Sequence, residues 1–323
     1  MSDTKYTYAV ARIRALELSL FSAATLDQLM ACKGYEQCLQ FLAEKGWGST
    51  ETPQNAEAIL TCEREKMWQT MEELSVDMSL FDVLSYPKLF HNLKAAVKEL
   101  CTEEKTPGIF YEDCDISGET MMELLRNKSY QDFPASMQAA AKEAYETLLH
   151  TRDGQLCDVI VDRACLDAIC KAGQDAEEPI IQDYAESTVA VADIKIAARG
   201  AATGKTAEFL LRAMSPCASL SVEELVRAAL GGTVSLSDYL QSMGYGEAGE
   251  ALRQSPSAFE RWCDDRIIET IQPQLLNPFS VGPLFAYVLA RENEIKTVRI
   301  ILSGKRNELP EESIRERIRK MYV

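Results

Sequence analysis

Pro283-Leu-Phe-Ala-Tyr-Val-Leu-Ala-Arg-Glu-Asn-Glu-Ile-Lys-Thr-Val-Arg-Ile-Ile-Leu-Ser-Gly-Lys305 is followed by Leu309-Pro-Glu-Glu-Ser-Ile-Arg-Glu-Arg-Ile318 and a closing Tyr322-Val323. In the first part Leu284, Val288, Ile295, Val298 and Leu302 recur at helical spacing, with Arg291, Glu292, Glu294 and Lys296 as the expected polar side. Ser303-Gly304 is the expected stop. Pro310 is suited to the first turn of a second helix, where its missing N–H forfeits no bond, and Glu311 and Glu312 sit favourably near the positive helix end.

The same half-module recurs upstream. Asn293 and Arg299 bracket five residues; so do Asp193 and Arg199, and Asn92 and Lys98, at spacings of 101 and 100 residues. Tyr8 to Arg14 is a looser fourth copy. A short helix follows each basic residue, starting at Thr25, Ser117, Ser221 and Pro310, with Thr or Ser as the expected N-cap in three of them. Leu42-Ala-Glu-Lys-Gly-Trp-Gly48 also echoes Leu240-Gln-Ser-Met-Gly-Tyr-Gly246. A fixed period carried by two signals in the same order is the mark of a repeat architecture. We therefore expect an all-α chain of three pseudo-repeated helical lobes, residues 1–85, 86–192 and 193–323. The terminal half-module should pack against the N-terminal segment.

The 323 residues suffice for two or three lobes with a substantial core, and 46% hydrophobic content is ordinary for a folded chain. A net charge of −16 repels a phosphate backbone and an anionic membrane surface, so no nucleic-acid partner is expected. No apolar run is long enough for a membrane span, and Met1 to Lys5 is polar, without the apolar core of a secretory leader. The ten cysteines form no framework and read as reduced, buried residues of a cytoplasmic protein.

Elsewhere we expect a helix over Tyr6–Phe21, a cap at Thr52-Pro53 with helix to about Leu84, a break at Tyr86-Pro87, and an Ala-rich helix over Pro134–Leu149. Two long antiparallel helices span Gln155–Ala172 and Pro179–Gly200. Gly200-Ala-Ala-Thr-Gly-Lys-Thr206 ends like a phosphate-binding loop, but it has three residues between its glycines instead of four and follows a helix instead of a strand. It reads better as a helix end. The Cys32/Cys38 and Cys165/Cys170 spacings lack the pattern and the histidines of a zinc site. His91 and His150 have no nucleophile motif nearby. Asp158 and Asp162 lie one turn apart and read as an ion-paired face before a cation site. Catalytic residues, cofactor-binding residues and metal ligands are expected to be absent.

Lys98, Arg199 and Arg299 are the candidate partner-interface residues. Around a pseudo-threefold axis they would line a socket for an acidic partner; alternatively they pair with carboxylates of the chain itself.

Tyr8-Ala-Val-Ala-Arg-Ile-Arg-Ala-Leu-Glu17, the segment Ala286–Lys305 and the closing Tyr322-Val323 resemble the C subunit of V/A-type ATPases, the counterpart of the d subunit of eukaryotic V-ATPases. The resemblance runs from about residue 6 to the end. Asp193-Ile-Lys and the Gly200–Thr206 stretch depart from its pattern. It implies three helical lobes forming a funnel, no active site and no cofactor. The implied role is a single-copy, non-catalytic rotor component between the axle (the D and F subunits) and the membrane proteolipid ring, cytoplasmic and peripheral at the membrane. The other reading is a helical-repeat scaffold for a different cytosolic partner.

Overall fold

The computed structural model describes residues 6–53, 55–102 and 105–323; the polar opening Met1 to Lys5 lies outside them. Among the described residues the regular structure is helical, with no strand. The α-helices are α1 (Thr7–Glu17), α2 (Ala23–Met30), α3 (Tyr35–Glu44), α4 (Ala56–Glu73), α5 (Asp82–Thr102), α6 (Gly118–Arg126), α7 (Gln138–Thr151) and α8 (Gly154–Asp175). They continue with α9 (Pro179–Thr203), α10 (Ala207–Ala213), α11 (Val222–Leu230), α12 (Gly232–Ser242), α13 (Gly246–Gln254), α14 (Pro256–Ile271), α15 (Gly282–Arg306) and α16 (Glu311–Arg315).

Backbone packing gathers the chain into two compact units. The first takes the chain up to Met78, Glu178–Ile180 and everything from Glu247 on. Its centre is α15, which packs on α1, α3, α4, α14 and α16. One continuous core joins Phe21, Leu29, Met30, Leu42, Trp47 and Leu60 from the N-terminal part to Ile295, Val298, Leu302 and Ile314 near the end. The N- and C-terminal segments thus share a core, as expected. Each fully buried Leu, Ile or Val contributes roughly 1.5–3 kcal/mol.

The second unit holds Ser79–Glu177 and Ile181–Gly246. There α5 packs on α6, α7 and α8 through Leu93, Ala96, Val97, Met121, Leu125, Ala141, Ala144 and Val161, all fully buried. Helices α8 and α9 approach closely at Gly173, where a Cβ would lie 2.4 Å from that of Ala185.

Several boundaries differ from expectation. Helix α1 stops at Glu17, and the following turn ends with the Phe21 N–H bonded to the buried carboxylate of Glu294. Ser22, not Thr25, caps α2, accepting the Thr25 N–H at 3.3 Å; Thr25 is three residues inside. Ser117 and Ser221 cap α6 and α11 as expected. The cap of α4 is Asn55, which accepts the Ala58 N–H at 2.9 Å, and this helix ends at Glu73 with Ser75 in the left-handed region. Pro87 does not break the chain but lies inside α5. It forfeits one bond near the helix start, and the buried row Leu89, Phe90, Leu93, Ala96 and Val97 outweighs that loss. Helix α7 starts at Gln138, after a single 3-10 turn at Tyr130–Asp132, and α15 runs past Gly304 to Arg306.

Gly304 is therefore not a stop. It clears space for the next helix, since a Cβ there would lie 2.5 Å from Ile314. The stop is a left-handed Glu308 with the Leu309 N–H bonded back to Gly304 O at 2.9 Å. The Leu42/Leu240 echo is the same device with glycine in place. Gly46 and Gly244 have φ of +83° and +82°. The Trp47 and Tyr245 N–H groups bond back to Leu42 and Leu240 O at 2.9 and 2.8 Å, and all four of these flanking side chains are buried. These are Schellman caps with their hydrophobic contact.

Candidate functional site: the repeated polar and basic positions

The polar residue that opens each repeat is buried on a long helix and grips a connector that follows. On α5, Asn92 donates to Tyr111 O and accepts the Tyr111 N–H, both at 2.8 Å. On α15, Asn293 donates to Lys320 O at 2.9 Å. On α9, Asp193 accepts the Ser215 N–H at 3.1 Å. An amide can give and take, whereas an ionised carboxylate only takes. Asp193 thus satisfies one oxygen and leaves Oδ2 buried without a hydrogen bond. Burial pushes its pKa up to about 7, against the pull of the Ser215 N–H and of Arg163. The connector is pinned further: Arg163 donates to Met214 O, Ser215 Oγ to Asp167 at 2.6 Å, and the Ala218 and Ser219 N–H groups to Glu186 at 3.0 and 2.8 Å.

The basic residues that close each repeat lie toward solvent. Lys98 pairs with Asp158 at 2.6 Å, and Arg299 grips Glu57 with two nitrogens at 2.6 and 3.2 Å, holding Glu57 below the usual carboxylate range. Arg199 is exposed on α9 and is also engaged. Lys98 with Asp158 belongs to the second unit, as does Lys94 with Asp162 at 2.6 Å. The Asp158/Asp162 pair is thus an ion-paired face. Arg299 with Glu57 belongs to the first unit. Arg14, the basic residue of the looser fourth copy, forks onto Glu17 at 2.8 and 2.7 Å and donates to Gln274 O and Asn277 O at 2.5 and 2.8 Å.

A buried charge cluster in the first unit escapes the periodicity. Helical spacing puts Arg291 and Glu294 on the polar side of α15, yet both are buried; the solvent side carries Glu292 and Lys296. Arg291 bonds Glu294 and Glu63, and its guanidinium lies 4.9 Å from the centre of the Trp47 ring. Glu63 also accepts the Gly48 N–H at 2.8 Å and the Lys66 ammonium at 2.7 Å. Glu294 accepts the Phe21 N–H, and burial pushes it up to about 7 against Arg291. One guanidinium thereby ties α15 to α4 and to the α1–α2 turn. Its trace in the sequence is a charged pair three residues apart, which helical spacing alone does not distinguish from the exposed charges Glu292 and Lys296 beside it.

A family model for the ATP synthase (C/AC39) subunit matches residues 9–317. The chain belongs to the ATP synthase C/AC39 subunit family. It is 24% identical over 317 residues to the C subunit of the V-type sodium ATPase of Enterococcus hirae, covering 96% of this chain and 97% of that one. It is 23% identical over 341 residues to the C subunit of the A-type ATP synthase of Methanocaldococcus jannaschii, covering 96% and 85%. Members of the C/AC39 family are structural, non-catalytic subunits of hetero-oligomeric rotary ATPases.

In this C/AC39 chain the Gly-Lys-Thr stretch is a helix cap. Helix α9 ends at Thr203, Gly204 has φ +64°, and the Lys205 N–H bonds back to Gly200 O at 3.1 Å. Lys205 reaches Gln155 at 2.9 Å and the Phe209 ring, and Thr206 caps α10. His91 bonds Ile109 O at 3.0 Å and packs edge-on against Tyr111. Cys38, Cys157 and Cys165 are buried thiols whose pKa values burial raises to about 12, 11 and 12. Among the described residues no helix is long and apolar enough to cross a membrane.

Proposed function

We propose that this protein is the central-stalk coupler of its rotary ATPase. It seats the D–F axle of the soluble sector, rests on the membrane proteolipid ring, and passes torque between ATP chemistry and proton or sodium movement. On this reading it acts as a single copy, on the cytoplasmic side, peripheral to the membrane through the ring. The lobes are residues 1–85, 86–192 and 193–323, arranged as a funnel. The carrying observation is the family match over almost the whole chain. The buried Asn92, Asp193 and Asn293 clamps support it, because a torque-bearing spacer needs connectors fixed to its long helices. Lys98, Arg199 and Arg299 are proposed as socket residues. Half-exposed ion pairs such as Arg299–Glu57 are worth about 0–1 kcal/mol, so a partner carboxylate can replace the internal one.

Binding of the purified chain to a D–F axle complex, with and without charge reversal at Lys98, Arg199 and Arg299, tests the reading. Salt-dependent binding lost on reversal is the expected result. Binding that survives reversal discards the socket and keeps the coupler. No binding to a folded axle discards the coupler.

A further inference from the structure

Helix α15 is buried on most of its surface, but one stripe stays open. Leu289, Glu292, Lys296, Arg299, Ser303 and Arg306 follow at spacings of three and four, so they share one face, and none of them is buried. From Leu289 to Arg306 the stripe runs roughly 26 Å at 1.5 Å per residue. Two clefts lie along it and meet at Arg299. One, of about 350 Å³, is walled by Arg64 of α4 and by Asp264, Ile267 and Ile268 of α14. The other, of about 510 Å³, lies between α15 and Tyr35, Ala56, Glu57 and Leu60. Every one of these residues belongs to the first unit.

The charge along this groove runs against the rest of the molecule. The chain carries 34 basic and 50 acidic residues. Here Arg64, Lys296, Arg299 and Arg306 face Glu57, Glu292 and Asp264. Each of the three carboxylates already holds a base: Arg299 on Glu57, Arg64 on Glu292 at 2.8 Å, and both Lys296 and Arg319 on Asp264 at 2.6 Å. Arg306 has no ion pair among the described residues; its guanidinium lies 5.9 Å from the centre of the Tyr35 ring, next to the exposed Ser303 and Asn307. A straight basic-edged groove with hollows along an apolar floor matches helix-in-groove recognition, with apolar anchors inward and carboxylates at the edge. A second copy of this chain would bring a net charge of −16 against −16, and nucleic acid would meet the same net repulsion.

We propose that the open stripe of α15, between α4 and α14, seats an acidic amphipathic helix of a partner protein, with Arg306 and Arg299 taking its carboxylates. The inference rests on the coupler reading, which supplies the axle as the partner to try. It differs from the socket above in needing neither Lys98 nor Arg199. The probe is the D–F axle complex, with binding measured at two salt concentrations for the wild-type chain and Arg299→Glu/Arg306→Glu. In parallel, a benzophenone amino acid replaces Ser303 for photocrosslinking, and circular dichroism melts verify that each variant folds.

The expected result is at least about a tenfold loss of affinity on reversal, a smaller salt dependence, and crosslinks from position 303 into an acidic helical segment of the axle. Equal binding by wild type and the reversed variant, with no crosslink, overturns the groove while leaving the coupler reading standing. A crosslink to a protein other than the axle overturns the axle as its occupant. No axle binding by the wild type removes the coupler reading and this inference together.

Discussion

Asp193 is the residue at which the repeat is least satisfied. Its counterparts Asn92 and Asn293 are neutral, while Asp193 keeps Oδ2 without a bond, and burial raises it to about 7. A carboxyl raised in the fold holds its proton between the unfolded value near 4 and the folded value near 7. Its contribution to stability is therefore full below about pH 4 and is lost as pH rises through 7. Asp193→Asn is expected to leave stability near wild type at pH 4.5 and to raise it by about 2–4 kcal/mol at pH 8, measured by urea unfolding at the two values. An equal effect at both would show that ionisation is not the cause. The Arg291 cluster predicts the opposite behaviour. Arg291→Met leaves the buried Glu294 without its cation and Glu63 with Lys66 alone, and is expected to cost about 3–5 kcal/mol. Adding Glu63→Gln and Glu294→Gln should recover most of that loss in the same assay, since each glutamine oxygen can still accept the Gly48 or Phe21 N–H.

At the scale of elements, three glycines in or beside helices are needed for two different reasons. Gly46 and Gly244 are left-handed with open space where a Cβ would go, so alanine there meets only backbone strain, about 1–2 kcal/mol each. Gly304 sits within α15, and its added Cβ would strike Ile314 of α16. Gly304→Ala is expected to loosen α16 and to expose residues 311–315 to faster hydrogen exchange, whereas Gly46→Ala and Gly244→Ala should lower the melting temperature without that local signature. Fast exchange at 311–315 in all three variants would refute the distinction.

At the scale of the whole molecule, the first unit depends on a segment far from most of its sequence. Residues 21–60 contribute most of a core that Ile295, Val298, Ile301, Leu302 and Ile314 complete. Truncation after Ser280 is expected to strip hydrogen-exchange protection from residues 21–60. Helices α5–α8 pack chiefly on one another and should keep theirs. Loss of protection in both units would mean that they fold as one.

Helical content and the family were legible in the sequence because they rest on local spacing. Apolar residues at every third or fourth position, serine at a cap, and Gly-aromatic after a leucine act within a few residues of chain. The tail resemblance was equally local. Ser22 displacing Thr25, Pro87 inside α5 and Gly304 within α15 were not legible, because neighbours distant in sequence decided them. The same is true of the site. The sequence picked out Asn92, Asp193 and Asn293 together with Lys98, Arg199 and Arg299, but spacing cannot say which member of a pair is inside. Burial of the polar member, and the pairing of Lys98 with Asp158 and Arg299 with Glu57, follow from helices that meet across 60 to 242 positions. The burial of Arg291 and Glu294 is the sharpest case. Hydrophobic periodicity sends a charge to water, and only packing that supplies a carboxylate for the guanidinium and an amide for the carboxylate lets it stay inside.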